Sequence, residues 1–207
     1  GELLGTVVEH ITRDAMNAGG NVQYAKPAGG GAAPTNRAGV AAGNVLTVDE
    51  IRRAVRTLKK NKARKFTRGG GKGHFVCIVG PDATYDLQSD ALWQDVSKYS
   101  DREQIYDGEI GKLFGVVFVE STETKVFEGA GASSADVYTT LVFGADAYGT
   151  IDIAGNGAVQ SIIKPKGSAG AADPLDQRGT VGAKVMAYTA KILNDLWIVR
   201  IEHGVSA

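Results

Sequence analysis

TRGGGKGHFVCIVG, Thr67 to Gly80, packs five glycines and a lysine before and into an apolar run. Read as a phosphate cradle, it would make the chain a nucleotide-handling enzyme. Such a cradle needs a strand, then G-x-x-x-x-G-K-[ST], then a helix whose N-terminus faces the phosphates. Here the order is reversed. The residues before the glycines have helical periodicity, and His74 to Val79 reads as a strand. Lys72 is followed by Gly73 rather than Ser or Thr. A dinucleotide fingerprint also requires a preceding strand and fails on the same ground. The stretch reads as a helix-to-strand connection, and a phosphate- or nucleotide-binding enzyme built on Gly69 to Gly73 is the rival reading.

The chain has 207 residues, 43% of them hydrophobic, enough to bury a real core. Lys plus Arg and Asp plus Glu are equal at 23 each. That balance argues against a protein whose main partner is nucleic acid or an anionic membrane. The 28 glycines are about twice the usual share and gather between elements. Cys77 is the sole cysteine, so no internal disulfide forms, and its place in an apolar strand predicts a packing role. No apolar run reaches the roughly 20 residues of a membrane span.

Working outward, Leu3, Leu4, Val7, Val8, Ile11 and Ala15 share one helical face, and Gly19-Gly20 stops that helix. It begins without a capping residue and is expected to be the tail of a longer helix. Ala25 to Asn44 is rich in Gly, Ala, Pro and Asn, the composition of a mobile loop. Thr47 and Glu50 have capping-box spacing before a second helix with a Val48, Ile51, Val55, Leu58 stripe. Pro81 opens two short helical turns. Strands are predicted at Gly115–Glu120, Val137–Phe143 and Val159–Lys164, with Ala147–Ile153 ambiguous. Gly182 to Glu202 predicts a hairpin turning at Asn194-Asp195. The fold class is α+β.

Lys59, Lys60, Lys62, Arg64, Lys65, Arg68 and Lys72 form a basic run without an acid. It reads either as a phosphate-backbone contact or as a solvated helix end favoured by the helix dipole. Asp82, Asp86, Asp90 and Asp95 recur at near-helical spacing and read as a solvated face rather than an acid–base or metal site. His10, His74 and His203 are isolated, and Ser168 lacks the frame of a nucleophile elbow. Gly111 and Gly115, in EIGKLFGVVFVES, read as packing glycines before a strand. No catalytic residue, cofactor site or metal site is assigned.

Four ordered segments resemble one protein family. They are ITRDAMNAGGNVQYA (Ile11–Ala25), LTVDEIRRAVRTLKKNKARKF (Leu46–Phe66), Gly73–Phe127 with its IVGPDATYDL and GEIGKLFGVVFVEST, and DPLDQRGTVGAKVMAYTAKILNDLWIVRIEHG (Asp173–Gly204). Together they are similar to tailed-bacteriophage major capsid proteins related to the coat protein of podovirus N-four. The resemblance implies the Hong Kong 97-type capsid fold. Residues 1–25 would end the spine helix of the peripheral domain, and 26–45 would be a flexible loop. Residues 46–172 would form mostly the axial domain, and 173–207 would return to the peripheral sheet. It implies a structural shell protein, not an enzyme, whose partners are other copies of itself in pentamers and hexamers. Packaged DNA, scaffold and portal are further implied partners, and a membrane is not. A cellular nanocompartment shell of the same fold is the other alternative. Family members carry an N-terminal arm and extended loop before the position of Gly1, so this chain is expected to be a fragment, monomeric in isolation.

Overall fold

The computed structural model describes residues 2–67, 73–97, 109–152, 159–168, 175, 177–185 and 188–206. Two compact units divide it. One is Arg13–Gly149 with Ile192–Ala207; the other is Gly1–Thr12 with Thr150–Lys191.

The larger unit is built on a mixed sheet. Its strands are β1 (Val22–Tyr24), β2 (Phe75–Val79), β3 (Glu109–Leu113), β4 (Val116–Glu120), β5 (Val126–Phe127), β6 (Val137–Phe143) and β11 (Ile198–His203). The order across the sheet is β1-β11-β6-β2-β4-β3, and β5 pairs with β6 off this path. β1 lies parallel to β11 and β2 parallel to β4, while the other neighbours are antiparallel. Among the described residues, α2 (Val48–Lys60), α3 (Pro81–Ser89) and α4 (Ala91–Ser97) lie wholly in this unit.

Strand alternation sends side chains to two cores. Phe75, Cys77 and Val79 of β2 join Val116, Phe118, Val142, Val199 and Ile201 under the helices. Ile51, Ala54, Val55 and Leu58 of α2 complete that cluster, as the apolar stripe predicts. Ile51 and Leu58 are fully buried, each worth about 1.5–3 kcal/mol against exposure. Trp93 of α4 meets Phe118 edge-on at 4.9 Å between ring centroids. Gly111 lies under that indole: its φ is +158° and a Cβ would stand 3.4 Å from the ring. The alternate residues Val76, Ile78, Val119, Leu141, Phe143 and Ile198 pack on the other face with Met16, Phe66 and Trp197.

Three sequence expectations change. Gly182 to Glu202 is not a hairpin: β9 (Thr180–Val185), β10 (Tyr188–Ile192) and β11 have separate partners, and β11 sits between β1 and β6. The Asn194-Asp195 corner is a 3-10 turn in which the Asn194 side chain accepts from Leu196 N. Glu109–Leu113, read only as packing, is a strand paired with β4 across a turn in which Phe114 and Gly115 both have positive φ. At the start of α2, Thr47 makes no side-chain cap: the Glu50 amide donates to the Thr47 backbone carbonyl at 3.1 Å, and Asp90 Oδ2 accepts the Val48 amide at 3.0 Å. Glu50 is drawn instead to Gln23, whose Nε2 donates to Glu50 Oε2 at 2.7 Å, and to Arg53.

The Gly/Ala-rich segment before α2 is fastened along its length. Asn44 Nδ2 donates to Ala25 O, and the Ala132 amide donates to Val40 O. Arg37 reaches the fully buried Glu202.

The smaller unit holds most of α1 (Glu2–Met16), with β8 (Val159–Lys164) antiparallel to β9. β7 (Tyr148–Asp152) pairs with β10. Thr12 Oγ1 and the Tyr188 hydroxyl share a 2.7 Å hydrogen bond. Leu3, Val7 and Ile11 on α1, and Ile163 and Val181 facing each other across the β8–β9 ladder, are exposed.

Candidate functional site

The face of α2 turned away from the core carries charge. After Asp49, the exposed residues of that face are Arg52, Arg56, Lys59 and Lys60; Arg52 and Arg56 are four apart, and Lys59 and Lys60 follow Arg56 by three and four, so they share one side. Lys62, Arg64 and Lys65 continue the exposed basic surface past the helix end. The segment is held by the Asn61 side chain and by its own backbone. Asn61 Nδ2 donates to Leu196 O at 3.1 Å, and Asn61 O accepts from Trp197 Nε1 at 3.2 Å. Arg64 O accepts the Ala145 amide at 2.8 Å, and Phe66 and His74 exchange both backbone bonds.

Among the described residues, Arg64 is the one base of this surface within 4 Å of a carboxylate, at 2.8 Å from Asp146. The guanidinium of Arg52 stands over the Phe114 ring at 5.3 Å, and Lys65 Nζ is 5.8 Å from the Phe75 ring centre. Five members of the sequence-predicted run, Lys59 through Lys65, thus share one surface. Arg68 and Lys72 lie outside the described residues, as does most of the Gly69–Gly73 loop. Arg52 and Arg56 lie outside the contiguous run; only the helical period brings them onto the same face.

The other candidates have structural roles. Helix α2 precedes the glycine loop and β2 follows it, the order that excludes a phosphate cradle. Asp86 is buried and accepts from the Ser206 amide and hydroxyl. Asp90 accepts from Val48 N and from Leu92 N at the start of α4. Two of the four aspartates are therefore fasteners, not a solvated face. Asp82 and Asp95 are exposed.

His203 is fully buried; its ring nitrogens meet Thr140 Oγ1 at 2.9 Å and Gly204 O at 2.7 Å. Burial lowers its pKa to about 4, so the ring is neutral near pH 7. Burial pushes the Cys77 thiol well above its ordinary range, which leaves it inert. The Ser168 hydroxyl donates to Pro165 O at 2.6 Å in an exposed turn. Among the described residues no group of three or more His, Cys, Asp or Glu is placed to hold a metal ion.

A family model described as "Phage capsid protein" matches residues 8–167. The chain belongs to the phage capsid protein family. This is a structural family without catalytic chemistry, and the enzyme reading of the glycine loop falls with it. Solved structures agree on the fold. The capsid of Ralstonia phage GP4 has a TM-score of 0.63 at 17% identity, covering 94% of this chain and 54% of that one. The capsid of cyanophage Pam1 has a TM-score of 0.59 at 20% identity, covering 90% and 55%. The SrpI encapsulin complex of Synechococcus elongatus has a TM-score of 0.56 at 10% identity, covering 99% and 62%. The capsid chain therefore has the Hong Kong 97-type α+β fold, and it spans a little over half the length of the first two chains. Among curated proteins, none matches it in sequence.

Proposed function

We propose that this capsid-family chain is part of a major capsid protein that self-assembles into the icosahedral shell enclosing phage DNA. The observation that carries the reading is the family match over residues 8–167. Exposed apolar surface in the smaller unit supports it. A two-stranded ladder is marginal alone, yet Ile163 and Val181 are 71% and 80% exposed on one. Leu3, Val7 and Ile11 add an open stripe on α1. Surfaces of this kind call for a partner, and in a shell the partner is another copy in a repeated, symmetric contact.

In this role the partners are other copies in pentamers and hexamers, with packaged DNA, scaffold and portal as further ones. The protein sits in the virion capsid and the isolated chain is monomeric. The group related to the podovirus N-four coat protein is its place within the family, on the strength of the four ordered segments quoted above. Residues 1–25 and 173–207 are assigned to the peripheral domain, 46–172 mostly to the axial domain, and 26–45 to a loop between them. The two compact units draw their boundaries elsewhere, after Thr12, Gly149 and Lys191, and the larger one takes in residues from both assigned domains. The encapsulin likeness keeps a nanocompartment shell as the second reading.

The test is negative-stain electron microscopy of the product of the complete reading frame, with this 207-residue chain as control. Closed shells filled with DNA in infected or induced cells are expected. A product that stays a small discrete particle under assembling conditions would sink the proposal, and shells loaded with a host protein would favour the nanocompartment.

A further inference from the structure

We propose that the outer face of α2 and the turn after it form a contact surface for the phosphate backbone of double-stranded DNA. The inference rests on the reading of the chain as part of a DNA-enclosing shell.

The surface has fixed geometry and an excess of positive charge: among the described residues, six exposed bases besides Arg64, which is paired with Asp146, and Asp49 at its start. The opposite side of α2 is fully packed in the core, so Arg52, Arg56, Lys59 and Lys60 project from a rigid support. Lys62 and Lys65 extend the surface from a turn tied down by the Asn61 side chain and its own backbone. Arg52–Arg56 and Arg56–Lys60 are like-charge pairs four residues apart, which repel each other along a helix. An anionic partner turns that repulsion into attraction. From Arg52 to Lys60 the helix rises about 12 Å at 1.5 Å per residue, and duplex DNA carries about seven charges over that length.

The chain's overall neutrality does not oppose this. The two acids at this surface are already paired, Asp146 with Arg64 at 2.8 Å and Asp49 with Lys26 at 3.8 Å, while Asp86, Asp90 and Glu202 are committed to internal hydrogen bonds. The field near α2 is set by the local bases, not by the sum. The proposed contact is with phosphates and carries no sequence preference. Each copy binds weakly, and repetition over a shell multiplies the effect.

The test uses the dispersed chain and a 30-base-pair fluorescent duplex of arbitrary sequence, with affinity followed by anisotropy against NaCl concentration. Four neutralised phosphates predict that affinity falls about a hundredfold between 50 and 200 mM salt. Arg52→Ala with Arg56→Ala is expected to reduce that fall to about tenfold, by removing two of the four. Lys59→Ala with Lys60→Ala serves as a second variant, and circular dichroism confirms that each folds. Lys164→Ala with Lys184→Ala, on the β8–β9 ladder, is the control and keeps the parent slope. Parent binding without salt dependence overturns the proposal, and so does a double variant with the parent slope. If the α2 variants lose self-association yet keep the DNA slope, the surface is a copy-to-copy contact and the proposal is also overturned. Because the dispersed chain is measured, failure of shell assembly leaves this result readable on its own.

Discussion

Arg37 grips Glu202 at two points: Nε donates to Oε2 at 2.8 Å and Nη2 to Oε1 at 2.7 Å. Glu202 is fully buried at the end of β11, and Arg200 Nε also donates to its Oε1 at 2.9 Å. Arg200 in turn donates to the backbone carbonyl of Asn17, at the end of α1, and to that of Gly19. The Arg37 guanidinium stacks 3.5 Å over the Phe127 ring of β5. One carboxylate thereby fastens the Gly/Ala-rich segment to the central sheet.

Arg37→Ala is accordingly expected to destabilise the larger unit by about 2–3 kcal/mol, somewhat below the cost of wholly unpairing a buried charge because Arg200 remains. Urea unfolding followed by Trp fluorescence measures it. A change under about 0.5 kcal/mol, the size of an ordinary surface substitution, would show that Arg200 alone satisfies Glu202.

His203 predicts a pH dependence. Its pKa is about 4 in the folded chain against an ordinary 6.5, because burial disfavours the charged ring. The unfolded chain therefore binds a proton that the folded chain does not, between those two values. Stability falls as pH drops from about 6.5 to 4, by as much as about 3 kcal/mol. Thermal melts of the parent and His203→Gln across that window check it: the variant, starting less stable, is expected to show a shallower slope. Equal slopes would place the dependence in other groups.

Asp90 and Thr47 give opposed expectations. Asp90 Oδ2 accepts the first amide of α2 while its Oδ1 accepts from Leu92, so Asp90→Ala removes both bonds. A loss of about 1–2 kcal/mol is expected in urea unfolding. Thr47→Ala is expected to cost less than half of that, since its hydroxyl makes no cap bond. The reverse ranking would restore the capping box.

That pair shows where sequence stops being legible. Thr47 and Glu50 have the right spacing, and α2 does start there. The cap comes instead from a residue 42 positions further on, which only the packed fold brings close. The same holds for strands. The apolar runs of β2, β4, β6 and β8 announce themselves, and β6 and β8 keep their expected ends. Alternation marks Ile198–His203 as a strand but says nothing of its partners, so a local hairpin was inferred where β1 and β6 flank it. β1 has only three residues and one buried side chain, too little for a period. On the basic surface, contiguous counting found Lys59 to Lys65, while Arg52 and Arg56 needed the helical period. Nothing in the composition of residues 26–45 signals that Arg37 ends at Glu202.

Gly204 tests the close approach of the chain end to the segment before α2. A Cβ there would stand 2.6 Å from Ala41 O and 2.8 Å from Ala42 O, both backbone atoms. Its amide also donates to Asn44 O at 2.9 Å. Gly204→Ala must push the backbone aside, and a loss of about 1–3 kcal/mol is expected, as for other overpacked sites. Hydrogen exchange at residues 41–45 is expected to quicken with it; unchanged exchange and stability would mean that the two segments separate freely.

Ile163 and Val181 separate folding from assembly. They oppose each other across β8 and β9, and both are more than two-thirds exposed. A charge placed on either side chain remains in water in the isolated chain, so Ile163→Lys and Val181→Lys are expected to shift its stability by no more than about 0.5 kcal/mol. In an assembled shell the same lysine has to leave water without a partner, which is costly enough to weaken every repeat of the contact. The expected result is a chain that melts normally and a complete reading-frame product whose shells are few or open by electron microscopy. Normal shells from both variants would show that this ladder faces solvent after assembly, leaving the α1 stripe of Leu3, Val7 and Ile11 as the apolar surface to test next. A large drop in melting temperature would instead mean that the ladder's exposed pair stabilises the unit itself, and the separation of folding from assembly would fail at this site.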